Sequence, residues 1–292
     1  MRSTGFTLIE LSIVLVIIGL IVGGVLVGRD LISAAEVRAQ VAQIEKYQAA
    51  LNTFRGKYGA IPGDILDAEA TKFGLSTSYY PANGDGIIRA PYNSTVGESN
   101  MFWVHLGEAR FIDSTPSIMT LTTQVTGSQI ARYLPAAKLG GSSYIYAWSG
   151  GPDPCHDSST CEGFNGTNYF TVDNVTRYCD YNAGCGGGTS IFSGSSLRVS
   201  TAEAIDKKLD DGLPQSGGVQ ALYMGLSNVG EWAGSDYSGT GFHGAAGVPA
   251  TSAWPASATS CYDNGNVAGP MKYSIATNNG AGANCALSFK FQ

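Results

Sequence analysis

Residues 6–28, FTLIELSIVLVIIGLIVGGVLVG, form an apolar stretch that contains a single charge, Glu10. About 20 such residues in an α-helix cross the hydrocarbon core of a bilayer, and this requirement constrains the chain more than anything else in it. MRSTG precedes the stretch, with Arg2 as its only charge. A secretory signal has a shorter apolar region followed by a small-residue cleavage site. Here the apolar run passes directly into a polar helical pattern, which predicts a retained anchor with Arg2 on the cytoplasmic side. Glu10 does not suit a plain anchor. A carboxylate inside lipid is costly unless paired, and no Lys or Arg lies within one helical turn of it. A partner in another molecule is the natural solution.

Gly5-Phe6-Thr7-Leu8-Ile9-Glu10-Leu11 resembles the signature of prepilins, the precursors of type IV pilins and type II secretion pseudopilins. The resemblance implies a leader, residues 1–5, removed between Gly5 and Phe6 by a prepilin peptidase that then methylates Phe6. It also implies that Glu10 meets the N-terminal ammonium of a neighbouring subunit. Two charges that are each unfavourable in lipid then cancel when subunits stack. The implied location is the bacterial inner membrane with an extracytoplasmic head, followed by a cell-surface or periplasmic filament.

Beyond Arg29 and Asp30 the helical pattern continues to Tyr58. Val37, Val41, Ile44, Leu51, Phe54 and Tyr58 recur at helical steps, with Gln40, Gln43, Glu45, Lys46 and Arg55 on other faces. No proline interrupts residues 6–61, so one helix is expected from Phe6 to Tyr58. Its first part (6–28) is the membrane or filament-core segment, and its second (29–58) carries a stripe for a folded domain. Many pilins kink the apolar half at a proline. This chain has none there, and Gly19, Gly23, Gly24 and Gly28 are the places where it can unwind.

Residues 59–292 read as one extracytoplasmic head. Amphipathic helices are expected at Glu98–Ile112 and Thr201–Asp211, the second opened by a Ser200/Glu203 capping box and closed by Gly212 and Pro214. Strands are expected at Ser143–Trp148, Tyr169–Val172, Val219–Leu226 and Leu287–Phe291, the last with Leu287, Phe289 and Phe291 on one side. The order of elements resembles the pilin fold: α+β, one long N-terminal helix packed against an antiparallel sheet with large loops. The DDGLP segment, Asp210–Pro214, also resembles larger pilin-like proteins.

All six cysteines, Cys155, Cys161, Cys179, Cys185, Cys261 and Cys285, lie in the second half, in a region of few charges. Such a set suggests disulfides in an oxidising compartment. Pairing of sequence neighbours is preferred among the 15 arrangements that six cysteines allow, and a late staple is common in the family resembled. A zinc site built from the four middle cysteines and His156 is disfavoured, because five residues separate each pair where zinc sites use two to four.

Asn83-Gly84-Asp85-Gly86 offers oxygen ligands for Ca²⁺, with Asp64 or Asp67 in support. The same four residues also make a good tight turn, and otherwise no cofactor is expected. The net charge of −6 and the lack of any basic run in the head argue against a nucleic-acid partner. His105, His156 and His243 form no ligand pair, and His105 reads as a half-buried, hydrogen-bonded helix residue. Gly239–Gly244 matches a dinucleotide pattern without its flanking strand and helix. No catalytic constellation occurs, so the chain is not expected to be an enzyme. Two readings stand: a structural pilin or pseudopilin subunit, or a membrane-anchored or tip-located minor pilin whose aromatic head binds a sugar or surface. Major pilin, pseudopilin and tip pilin are not separated by sequence.

Overall fold

A computed structural model describes residues 7–77, 82–88, 97–120, 124–150, 167–179, 191–194, 197–223, 260–265, 267 and 269–291. It opens with α1, Leu8–Tyr58, a helix of 51 residues and about 77 Å at 1.5 Å per residue. Thr7 caps its start, and Gly59, in the left-handed conformation at φ 72°, closes it. Three helices follow in the head: α2 (Asp67–Lys72), α3 (Gly97–Glu108) and α4 (Val199–Leu209). The strands are β1 (Gln124–Thr126), β2 (Ser143–Gly150), β3 (Thr167–Cys179), β4 (Ile191–Gly194), β5 (Val219–Tyr223), β6 (Tyr262–Asp263), β7 (Lys272–Tyr273) and β8 (Cys285–Lys290). The layout is the α+β, pilin-like one that the sequence predicts.

Six strands form one antiparallel sheet around β3. The register places β1 and β2 along one edge of β3, because Asn174 pairs with Ser143 on one side and with Gly194 of β4 on the other. Next to β4 on that other edge lies β8, with Phe170 opposite Phe289, and β5 pairs the far side of β8. β6 and β7 make a separate hairpin. Because β8 is central, its residues 285–289 are all buried, whereas alternation in sequence suggested one covered face. On the outward row the buried polar groups satisfy one another: the Trp148 indole donates to Thr171 Oγ1 at 2.6 Å, and Thr171 Oγ1 lies 2.7 Å from Ser288 Oγ.

The sheet packs across the second half of α1, where Val37, Gln40, Ile44, Tyr47, Ala50, Leu51 and Phe54 are buried. Gln40 belongs to the packed face and not to another face, as the sequence pattern had placed it. Its Oε1 accepts the Lys138 N–H at 2.8 Å, which satisfies the acceptor half of the buried amide. Gln43 Nε2 donates to the Ala136 carbonyl at 2.9 Å, so two glutamines fasten α1 to one segment of head backbone.

α3 is buried from Ser99 to Gly107, not amphipathic as expected, because it lies between α1 and β2. Tyr47 meets Trp103 edge-on at 4.9 Å, and Phe102 stands 5.7 Å from Phe170. The helix also stops short of Ile112. Arg110 enters the left-handed region at φ 60°, and Phe111 N–H donates to the Leu106 carbonyl while Arg110 N–H donates to that of Gly107. That is a Schellman stop. α4 starts at Val199, ahead of the expected Thr201, with Arg198 as an N-cap that makes no side-chain cap bond. The Ser200/Glu203 capping box does not form. Glu203 points down the helix and pairs Lys207 at 2.8 Å.

Candidate functional site

The first candidate site is the free half of α1. Its large apolar side chains are exposed throughout, from Leu8 at 89% through Leu20 at 72% to Val27 at 61%. Among the described residues α1 is the one helix long and apolar enough to cross a membrane. Residues 8–28 rise about 31 Å, the thickness of a bilayer's hydrocarbon core. Glu10 sits in the first turn, where it is folded back. Thr7 N–H and the Thr7 hydroxyl both donate to Glu10 Oε2 at 2.8 Å, and Glu10 N–H donates to Thr7 Oγ1 at 3.3 Å. The reciprocal pattern is a capping box. It satisfies the carboxylate's hydrogen bonding but leaves its charge uncompensated, so the case for a cationic partner from outside the chain stands. Gly5 and Phe6 lie outside the described residues.

Inside the head His105 is a buried titratable group, 2% exposed. Gly63 N–H donates to its Nδ1 at 2.9 Å, and its Nε2 lies 2.8 Å from the Ser76 carbonyl, to which it donates. Both nitrogens are therefore used by the neutral ring, and burial holds the pKa below the ordinary value. The residue is fully buried where the sequence suggested half-burial. It staples the 61–77 segment to α3. Gly63 is required beside it, since at φ 86° a Cβ would fall 2.2 Å from the Glu98 carbonyl oxygen.

Asn83 and Asp85 come together with Asp64 in one turn. Asp64, 2% exposed, accepts Gly84 N–H at 2.8 Å and Gly86 N–H at 2.6 Å. Asn83 Oδ1 accepts Asp85 N–H at 3.2 Å, and Asp85 Oδ1 accepts Ile87 N–H at 3.0 Å. These oxygens order the turn through backbone N–H groups. Asp67 lies at the start of α2.

A second carboxylate group was not singled out from the sequence. Asp206, Asp210 and Asp211 bring oxygens within 4.8 Å of one another. Sequence periodicity could not show this grouping, because Asp210 and Asp211 follow the end of α4 at Leu209. Asp206 is fully buried and accepts the Tyr273 hydroxyl at 2.7 Å and Gly212 N–H at 3.2 Å. Burial, with the charges of Asp211 and Asp210 adding to it against those two hydrogen bonds, pushes its pKa up to about 6. Asp210 accepts Gly218 N–H and, at 3.1 Å, Val219 N–H. Asp211 accepts Leu213 N–H at 2.8 Å. The DDGLP segment is thus a carboxylate-pinned turn that delivers the chain into β5. Gly217 has to be glycine there, with φ 71° and no room for a Cβ beside Asp210 Oδ2.

Cys261 and Cys285 form a disulfide with a Cα–Cα distance of 5.0 Å, the last of the three neighbour pairings expected. Cys155, Cys161 and Cys185 lie outside the described residues, as does the side chain of Cys179, which ends β3. His156, His243 and the Gly239–Gly244 stretch also lie outside them.

Compared with known proteins, residues 1–26 match the prokaryotic N-terminal methylation motif. This is the prepilin-type motif of type IV pilins and pseudopilins, and the chain carries it at the head of a pilin-like α+β layout. No curated protein and no solved structure matches the chain.

Proposed function

We propose that the chain is a structural subunit, pilin or pseudopilin, of a type IV pilus-like or type II secretion filament. A prepilin peptidase cuts it between Gly5 and Phe6 and methylates Phe6. The subunit then waits in the inner membrane with its head outside the cytoplasm, held by residues 6–28. On assembly that segment leaves lipid and packs among the same segments of identical or related subunits, and Glu10 pairs with the new ammonium of a neighbour.

One observation carries the reading: the methylation motif heads a single helix whose first half buries nothing within its own chain and whose second half is the spine of the head. An anchor alone does not need that continuity. A filament does, because the rigid helix fixes each head relative to the core it hangs from. The reading is non-enzymatic, because the prepilin-type motif points to a structural protein.

The test is N-terminal peptide mass spectrometry on native protein from sheared extracellular material and from membranes. A chain that starts at N-methylated Phe6 in the sheared fraction supports a surface filament, and the same chain confined to membranes supports a pseudopilin. A chain that starts at Met1 in both fractions overturns the proposal.

A further inference from the structure

Where α1 emerges from its apolar half, the head closes a cavity of about 300 Å³ against it. One wall is a single helical stripe, Arg29, Ile32, Ser33 and Glu36, and Arg198 at the start of α4 stands in the other with Leu139, Leu197 and Thr201. Arg29 and Arg198 are both exposed, and among the described residues neither takes part in an ion pair.

The depth of this cavity follows from α1. Gly28 ends the apolar run, so Arg29 marks the edge of the hydrocarbon. Glu36 stands about 10 Å above it at 1.5 Å per residue. The headgroup layer of one leaflet is about 5–8 Å thick. Beyond the exposed Asp30, which does not line the groove, Leu31 and Ile32 are still 66% and 61% exposed, which suits a turn lying in the membrane interface and not in water. Arg29 therefore sits at the level of the lipid phosphates and Glu36 at the outer limit of the layer, with Arg198 in the wall that faces them.

Resting on the reading of residues 8–28 as the bilayer span, we infer that this cavity holds the headgroup of one phospholipid whose phosphate is followed by an amine, as in phosphatidylethanolamine. The guanidinium groups of Arg29 and Arg198 take the phosphodiester through charge-assisted hydrogen bonds. Ser33 and Thr201 offer hydroxyls beside them. Ile32, Leu139 and Leu197 supply an apolar wall for the carbons that link the phosphate to the amine. Glu36 faces the ammonium. Two cationic groups and one carboxylate in the same groove, with Arg29 below Glu36 on α1, match a zwitterionic headgroup entered from the membrane and disfavour a purely anionic one. Such a lipid seats the head upright on the membrane before assembly, and it must leave when the helix is extracted.

The full chain, purified in mild detergent and exchanged into vesicles of mixed phosphatidylethanolamine and phosphatidylglycerol, tests this by native mass spectrometry of retained lipid. Flotation with the vesicles reports separately on the span. Arg29→Gln with Arg198→Gln lowers phosphatidylethanolamine retention about thirtyfold, from about 1 kcal/mol per arginine near the membrane surface. Glu36→Gln shifts preference towards phosphatidylglycerol about fivefold on the same basis. All three residues are exposed, and unchanged circular dichroism checks that the variants fold. Equal retention by the double variant overturns the groove while flotation still supports the span. Displacement of the lipid by millimolar inorganic phosphate also overturns it, by marking a soluble-anion site. Failure of the wild-type chain to float removes the span reading itself.

Discussion

Replacing both Cys261 and Cys285 with alanine tests how the head is held together. The bridge joins positions 24 apart in sequence and encloses the β6–β7 hairpin, tying it to the central strand β8. Both cysteines are fully buried. In the chain-entropy account, opening a loop of about 25 residues frees the unfolded state by about 3.5 kcal/mol at 25 °C. For a domain of this size each kcal/mol moves the melting temperature about 2–4 °C, so a drop of about 7–14 °C is expected. Thermal unfolding of the full chain in detergent, followed by tryptophan fluorescence under oxidising conditions, measures it. Because the account acts through the unfolded state, the Ser274 N–H, which bonds the Cys261 carbonyl at 3.0 Å, should keep most of its hydrogen-exchange protection in the variant. A shift below about 2 °C together with selective loss of that protection refutes the reasoning. It would mean that the bridge fastens the hairpin locally and adds little to the stability of the whole.

Four further outcomes follow from the site geometry. Glu10→Gln should reduce sheared filament about tenfold or more, since a charge-assisted contact contributes about 1.5–3 kcal/mol, while the melting temperature of the head is unchanged; retained filament yield counts against charge pairing. His105 has a depressed pKa, so below its unfolded value of about 6.5 the unfolded chain binds the proton more readily. Stability is full above that pH and falls as the pH drops below it, and His105→Gln should flatten the slope seen by melts across this range. Asp206 has the opposite sign: with its pKa raised to about 6 the folded state holds the proton more tightly. Its contribution, at most about 3 kcal/mol, is present below about pH 4 and is lost as pH rises through 6, so Asp206→Asn should raise the melting temperature at pH 7. Phe54→Ala, at a fully buried position on the α1 spine, should cost about 3–5 kcal/mol; a loss below about 1 kcal/mol in denaturant titration means that the head does not depend on α1.

The long helix was legible because nothing stops it. Local signals agree from Leu8 to Tyr58, and Gly59 and Pro62 punctuate its end. Four strands were legible in part, because alternating or β-branched runs mark them. β3 runs on past the expected Val172 through Asp173 and Asn174, residue types depleted in strands, and Asp173 is fully buried. Tertiary pairing outweighs local preference there. The two-residue strands β6 and β7 exist only as partners of each other, with a disulfide beside them, and so leave no periodic trace. The same limit explains the functional features. Glu10 is conspicuous because one charge in an apolar run is a local anomaly. The Arg29–Arg198 groove has no local anomaly to find, since its two arginines are 169 positions apart (198 − 29) and come to line one groove only when α4 docks on α1. His105 was placed in the right helix, but its staple to Gly63 and Ser76 needed the fold.

The glycines of α1 press the argument outwards. Each glycine in a helix interior costs about 1 kcal/mol relative to alanine, and Gly19, Gly23, Gly24 and Gly28 all lie in the half that the head leaves bare. A Cβ built on any of the four meets nothing within 4 Å, so no close contact within the chain explains them. They fall in two pairs spaced by four, the spacing at which small residues let helices in lipid approach backbone to backbone. They are also, in the absence of proline, the points where this helix most readily unwinds. Both accounts are intermolecular. On the proposed reading, the instability concentrated in residues 19–28 serves the change of surroundings that the helix undergoes, from lipid to a bundle of its own kind. The buried spine from Val37 to Phe54 stays rigid and carries the head through that change.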